Sequence, residues 1–257
     1  MKGRTALITG AAGGLGTHIA ETILEIGGSV IMVDYPDSDY SLIKNRSTEY
    51  KNKIIFIECN LEDENNRAEL IDTINSRGLS LDVLINNAAF VGSSELEGWV
   101  TTFERQNLDT WRRALEINLT ACFDLSKGFS PLLRKSGSGS IINIASIYGI
   151  NGPDFSLYED TEMGNPAAYA ASKGGLIQLT RWLSTSLAPK IRVNAVSPGG
   201  IFRNQPKNFV ERYENKTPLG RMANEEDLKG IIAYLSSDLS SYVTGQNIVI
   251  DGGWTVW

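Results

Sequence analysis

Apolar residues in this chain gather in short, nearly unbroken runs closed by glycine, proline, asparagine or aspartate: residues 5–9, 29–34, 53–58, 81–85, 140–146, 191–196 and 247–250. Such runs predict strands. Between them lie stretches with helical character, such as 17–26, a segment that starts with acids at 62–64, 108–133, and an Ala-rich stretch after Asn165. Strand and helix patterns alternate without a compositional break or an internal repeat, which predicts one α/β domain over residues 1–257. The expected architecture is a single doubly wound domain, a parallel seven-stranded sheet with helices on both faces. Ligands of such sheets sit beyond the carboxyl ends of the strands, and Asn87, Ser146 and the Pro198-Gly199 turn all fall there.

Two strand ends carry candidate cofactor chemistry. The first runs straight into Gly10-Ala-Ala-Gly-Gly-Leu-Gly16 and then into a helix. Glycines let backbone approach a pyrophosphate, and the helix N-terminus offers unpaired N–H groups with a partial positive charge. Gly10, Gly14 and Gly16 follow G-x-x-x-G-x-G rather than the commoner dinucleotide spacing. The second strand ends in Asp34, placed to accept both hydroxyls of an adenosine ribose and to repel a 2′-phosphate. No Arg or Lys follows at Tyr35, Pro36 or Asp37, so NAD is expected over NADP.

Tyr169 and Lys173 stand one helical turn apart, so phenol and ammonium share a face and can act on one proton. A neighbouring cation is expected to lower the phenol's pKa; a shift of about three units takes roughly 4 kcal/mol, which requires a partly desolvated site. Tyr40 and Lys44 share this spacing but follow only a Pro/Asp/Ser-rich turn. Tyr169 instead follows a strand that delivers the hydroxyl of Ser146. Asn118, inside a helical run, either faces solvent or hydrogen-bonds something the helix does not supply. Gly174 and Gly175 within the Tyr169 helix predict a closely packed neighbouring backbone, with a subunit interface as one candidate.

Composition narrows the partners. The chain has 257 residues, 42% of them apolar, with a net charge of −6. No basic cluster marks a nucleic-acid or anionic-membrane partner, no run approaches a membrane span, and the N-terminus lacks a signal-peptide pattern, so a cytoplasmic protein is expected. Cys59 and Cys122 lie far apart, which fits a reducing compartment. One histidine, His18, argues against a His-based metal site and a Ser-His triad; no metal is expected.

Taken together, the glycine loop, Asp34, Asn86-Asn87-Ala88-Ala89, Asn118, Ser146, Tyr169, Lys173, Pro198-Gly199 and Asp251-Gly252-Gly253 resemble the short-chain dehydrogenase/reductase family in order and over the full length. The resemblance implies a Rossmann-type fold and an NAD-dependent oxidoreductase. Tyr169 would be the general acid/base, Lys173 would lower its pKa and hold the nicotinamide ribose, Ser146 would orient the substrate, and Asn118 would hold a relay water. Gly10, Gly14, Leu15 and Gly16 would take the pyrophosphate and Asp34 the ribose. Asn60 and Leu61 would flank the adenine, with Asn87, Ala88, Pro198, Gly199 and Ile201 lining the rest. A homotetramer or homodimer built partly on the Tyr169 helix is implied.

Departures from the family pattern carry their own expectations. Asn60 stands where many members have Asp, Ala89 replaces a common Gly, and Arg203 occupies the place of a Thr that touches the cofactor amide. Long segments at 90–107 and 148–165 bring Trp99, Arg105, Asp154, Phe155, Tyr158 and Glu159 to the mouth. They either bind a sugar by stacking and hydrogen bonds or form ordinary surface loops. Arg203 either meets an anionic substrate group near the nicotinamide end or is solvated or paired with Glu211 or Glu214. The phrases at 147–154 and 200–206 resemble the branch found with bacterial flagellin-modification and surface-glycan pathways. A secondary alcohol or ketone on a sugar or sugar phosphate is therefore the expected substrate, and Ser146, Tyr158 and Arg203 are its candidate contacts; the alternatives are a 3-oxoacyl-thioester reductase and, from another class, a non-catalytic cofactor-sensing regulator with the same fold.

Overall fold

Seven apolar runs become seven parallel strands: β1 (Thr5–Thr9), β2 (Ser29–Asp34), β3 (Ile54–Glu58), β4 (Val83–Asn86), β5 (Gly139–Ile144), β6 (Ile191–Pro198) and β7 (Asn247–Ile250). The computed structural model describes residues 1–46, 48–91 and 96–257. Its sheet runs β3-β2-β1-β4-β5-β6-β7 with every pairing parallel. The order reverses between β1 and β4, so the chain winds outward in both directions from that point and leaves a crevice beyond their C-terminal ends. The eight α-helices among the described residues are α1 (Gly14–Glu25), α2 (Ser41–Arg46), α3 (Glu64–Ser76), α4 (Leu108–Leu115), α5 (Ala121–Ser136), α6 (Ala167–Ser186), α7 (Lys207–Asn215) and α8 (Lys229–Leu235).

Both faces of the sheet are covered, which is why its strands are apolar throughout. On one face Ile19, Ile23 and Leu24 of α1 and Ile232 and Leu235 of α8 pack on β1, β2 and β4. On the other, Leu70 of α3, Phe129 and Leu133 of α5 and Leu183 of α6 pack on the alternate strand residues. The expected doubly wound fold is thus present. Local signals set several element ends: Asp63 caps α3 by accepting from the Asn65 N–H at 2.8 Å, and Gly137 ends α5 in the left-handed region at φ 79°.

Some expected boundaries move. Lys53 belongs to a 3₁₀ turn before β3. Asp82 stands just before β4, and its carboxylate accepts from the Thr5 N–H at 2.8 Å. The helical run from 108 is not uniform: a π-helical turn, Glu116–Thr120, joins α4 to α5. Tyr40 is buried, its ring 4.6 Å from that of Phe56, while Lys44 is exposed. Of the two glycines of α6, Gly175 has an intrachain reason, since a Cβ there would meet the side-chain Leu119 Cδ2 at 2.9 Å, whereas at Gly174 the Gly149 carbonyl stands at an ordinary 3.4 Å. Of the segment 90–107, residues 92–95 lie outside the described residues. Trp99 within it is buried, and its indole N–H donates to the Val91 carbonyl at 2.6 Å.

Candidate active site

The crevice at the switch point opens into one cavity of about 910 Å³ that runs from the glycine loop and Asp34 to Ser146, Tyr169 and Lys173. Its floor is made where backbones nearly touch. Gly10 adopts φ +62°, and a Cβ there would lie 2.8 Å from Ala88 Cα; a Cβ on Gly16 would run into the Gly10 carbonyl. Asn87 ties the β1 and β4 ends together, its amide donating to the Thr9 and Gly10 carbonyls at 2.9 and 3.0 Å. The N-terminus of α1 is therefore left open toward the cavity, an arrangement suited to a phosphate. Asp34 accepts from the Ala12 N–H at 2.7 Å and the Tyr35 N–H at 2.8 Å, which holds its carboxylate at the cavity edge beside the loop. A cradle that Cβ atoms would fill, with an acid one strand away, fits a dinucleotide.

At the other end three side chains converge. Ser146, just past β5, is nearly buried and extended, and its hydroxyl accepts from the Tyr148 N–H at 3.2 Å. Pro166, itself extended, caps the start of α6, which then carries Tyr169 and Lys173 on one face. Lys173 is buried and donates to the Ile144 carbonyl, the last of β5, at 2.7 Å, with its ammonium 5.8 Å from the Tyr169 ring centre. Burial pushes its pKa down to about 8. The Tyr169 phenol lies above its ordinary value: enclosure in the cleft wall raises it, the Ser146 hydroxyl lowers it, and Tyr158 and Arg203 contribute smaller opposing effects. In the ligand-free protein, then, desolvation outweighs the groups that lower the phenol, Ser146 and Arg203, and Lys173 is not among them.

Asn118 is fully buried on the π-helical turn and does not line the cavity. Its amide oxygen accepts from the Phe90 N–H at 2.6 Å, and its nitrogen donates to the Phe90 carbonyl and to Ser172 Oγ at 3.0 Å. Through these bonds it ties the turn to Phe90 and to α6 beside Lys173. Asn60 and Leu61 also stay outside the lining: Leu61 is buried in the core and Asn60 accepts from the Glu62 N–H at 3.0 Å. Gly10, Gly14, Leu15, Gly16, Asn87, Ala88, Pro198, Gly199 and Ile201 all line the cavity as expected.

The mouth is more aromatic than expected. Tyr158 lines it, sharing a 2.6 Å hydrogen bond with the Tyr148 hydroxyl, and burial raises the pKa of both. Trp99 joins them, but Arg105, Asp154, Phe155 and Glu159 do not. Asp154 is spent capping the turn at Ser156 and pairing with Lys216. Met163, Phe209, Tyr213 and Met222, which the sequence did not single out, complete the wall. Tyr213 accepts from the Gly200 N–H at 2.5 Å and so fixes the turn after β6. Arg203 pairs with Glu225 at 3.2 Å, not with Glu211 or Glu214. On the outer side of α1, ligand atoms of His18, Glu21 and Glu226 lie within 4.8 Å of one another, and none of the three lines the cavity.

A family model described as enoyl-(acyl carrier protein) reductase matches residues 10–255. The chain is 34% identical to trans-4-hydroxycyclohexanecarboxylate dehydrogenase of Sinomonas cyclohexanicum over 98% of this chain and 93% of that protein. It is 29% identical to post-translational flagellin modification protein A of Campylobacter coli, over 99% of both. Among solved structures, a short-chain dehydrogenase from Leptospira borgpetersenii with bound NAD+ aligns with TM-score 0.85 and 35% identity over 99% of this chain and 94% of that one. An NADP-bound structure from Beutenbergia cavernae aligns with TM-score 0.87 and 30% identity, over 100% and 98%.

Proposed function

The chain belongs to the short-chain dehydrogenase/reductase family, and on that footing we propose that it is an NAD-dependent oxidoreductase interconverting a secondary alcohol and a ketone on a sugar or sugar-phosphate substrate. The observation that carries this reading is one continuous cavity with Asp34 and the glycine loop at one end and Ser146, Tyr169 and Lys173 at the other. A nicotinamide bound across it supplies hydride transfer to or from the reacting carbon. Tyr169 moves the accompanying proton at the substrate oxygen, which the Ser146 hydroxyl orients. Lys173, anchored at the Ile144 carbonyl, holds its ammonium 5.8 Å from the phenol ring centre, and its positive charge favours the phenolate form.

The Asp34 carboxylate, facing the ribose end, favours NAD by repelling a 2′-phosphate. A wall of Tyr148, Tyr158, Trp99 and Phe209 suits the face of a hydroxylated ring, and the relative acting on a hydroxycyclohexane supports a cyclic alcohol. Exposed Phe123 on α5 and Trp182 on α6 support a homodimer or homotetramer through these helices. No helix of the described residues is long and apolar enough to cross a membrane, which is consistent with a cytoplasmic enzyme. The decisive experiment follows NADH and NADPH absorbance with purified protein over sugars, sugar phosphates, nucleotide sugars, hydroxycyclohexane carboxylates and acyl thioesters. NAD-linked turnover of a hydroxylated ring substrate is expected. Turnover of acyl thioesters alone overturns the substrate class, preference for NADP overturns the cofactor, and failure to bind either dinucleotide overturns the whole reading.

A further inference from the structure

We propose that Arg203 is a recognition residue for the cofactor's diphosphate, held in place over the glycine loop by Glu225. The inference rests on the dinucleotide reading above and reassigns Arg203 from substrate to cofactor. The local fold explains how a residue after β6 reaches the start of α1. Ile201 forms a parallel bridge with Ala223, the Phe202 N–H donates to the Ala223 carbonyl at 2.8 Å, and the Ala223 N–H donates to the Gly200 carbonyl at 3.0 Å. These bonds lock the segment 200–203 beside 223–225. A capping box between Asn224 and Asp227, with Asp227 gripped by both terminal nitrogens of Arg221 at 2.7 Å, fixes the turn that carries Glu225.

Both side chains then stand above Gly14. A Cβ on Gly14 would lie 3.1 Å from Glu225 Oε1 and 3.8 Å from Arg203 Nη2. Gly14 is the first residue of α1, where free N–H groups and the helix dipole attract an anion. Arg203 also lines the cavity that holds the glycine loop at one end and Tyr169 at the other. Its guanidinium thus stands beside the start of α1, on the wall a diphosphate bound to the glycine loop would pass. Arg203 uses Nε for Glu225, while Nη1 and Nη2 make no hydrogen bond among the described residues. More than half of its side chain is exposed, whereas that of Glu225 is 18% exposed. The acid is the fixed member and the base the one with donors to offer.

Glu225 by itself would oppose a diphosphate, because it sets a carboxylate beside the loop that must receive two negative charges. Arg203 answers this twice: its Nε neutralises Glu225, and its two terminal nitrogens present the planar fork suited to phosphate oxygens. A neutral residue at 203 therefore leaves a repulsive site, not merely a weaker one. The coupling between the two positions is the signature of this arrangement.

The test is a double-mutant cycle on equilibrium binding, using NADH fluorescence and, for a ligand without phosphate, adenosine by calorimetry. Arg203→Ala should weaken NADH binding by at least about tenfold, in the range of a charge-assisted bond, and leave adenosine unchanged. Glu225→Gln should bind NADH at least as tightly as wild type. The double variant should recover much of the loss, to within about threefold of wild type, since the repulsion is gone. Arg203→Lys should fall between, keeping charge without the fork. Wild-type NADH affinity in Arg203→Ala, or equal loss for NADH and adenosine, overturns the inference while leaving the dinucleotide reading intact. A wild-type protein that binds no NADH overturns both.

Discussion

Burial moves two ionisable groups of α6 in opposite directions, Tyr169 upward and Lys173 down to about 8 from 10.5. The lysine's shift makes a stability prediction. Unfolded, the amine keeps its proton to about pH 10.5; folded, it releases it near 8, so between these values the unfolded chain binds more protons and stability rises with pH. The stability gained is complete above the unfolded pKa and is lost as pH falls through 8. Relative to Lys173→Met, which has no such group, wild type should gain roughly 3 kcal/mol in urea unfolding between pH 7 and pH 10.5. A flat difference would mean that the amine is better solvated than its contacts indicate. Tyr169→Phe tests the proton transfer: turnover should fall by about a thousandfold or more, with NADH affinity within a few-fold. Retained turnover would move the acid/base role elsewhere, with Ser146 the next group in reach. The types and spacing of these residues were legible in the sequence, because a one-turn separation on a helix is a local property. The direction of the phenol's shift was not, because desolvation depends on walls supplied by β5, Tyr158 and the mouth loops.

Glycines that look alike in sequence differ in what surrounds them, and this decides how each element tolerates a side chain. A Cβ on Gly16 meets the Gly10 carbonyl and Ala11 Cα, both backbone atoms that cannot move without displacing the loop. Gly16→Ala should cost about 2 kcal/mol or more in denaturant unfolding and abolish tight NADH binding. At Gly174 the nearest atom is the Gly149 carbonyl at 3.4 Å, an ordinary contact, so Gly174→Ala should be neutral or gain up to about 1 kcal/mol from helix propensity. Similar losses at both positions, measured by unfolding midpoints, would contradict the packing described. The strands and the loop–helix junction were visible as periodicity and punctuation. The π-helical turn was not: one extra residue in the helix between α4 and α5 turns Asn118 inward to Phe90 and Ser172, and no spacing rule for a regular helix anticipates it. Arg203 was visible as a departure from a pattern, but its partner Glu225 lies 22 residues on and is delivered by a bridge that only the assembled fold creates.

Across the whole molecule, one strand-end carboxylate links cofactor choice to global stability. Any ligand that binds only the native state raises unfolding free energy by mass action, about 2.7 kcal/mol at a hundred times its dissociation constant, or roughly 5 to 10 °C for a chain of this size. NAD should therefore shift thermal unfolding by that amount, and NADP at equal concentration should shift it less, because its 2′-phosphate would face Asp34. Replacing Asp34 has two consequences that must be separated. Its carboxylate also accepts from the Ala12 and Tyr35 N–H groups, so Asp34→Ala leaves two donors unpaired beside the glycine loop and should lower the ligand-free midpoint by the equivalent of about 1 to 2 kcal/mol. The quantity that reports cofactor choice is then the increment on adding each dinucleotide, taken from each variant's own ligand-free midpoint. In wild type the NAD increment should exceed the NADP increment. In Asp34→Ala the two should converge, mainly by loss on the NAD side, with NADP gaining from the removed repulsion. A larger NADP increment in wild type would mean that another cation near Ser38 and Asp39, which line the same end of the cavity, outweighs the carboxylate. Increments that remain apart in Asp34→Ala would place discrimination outside this residue altogether.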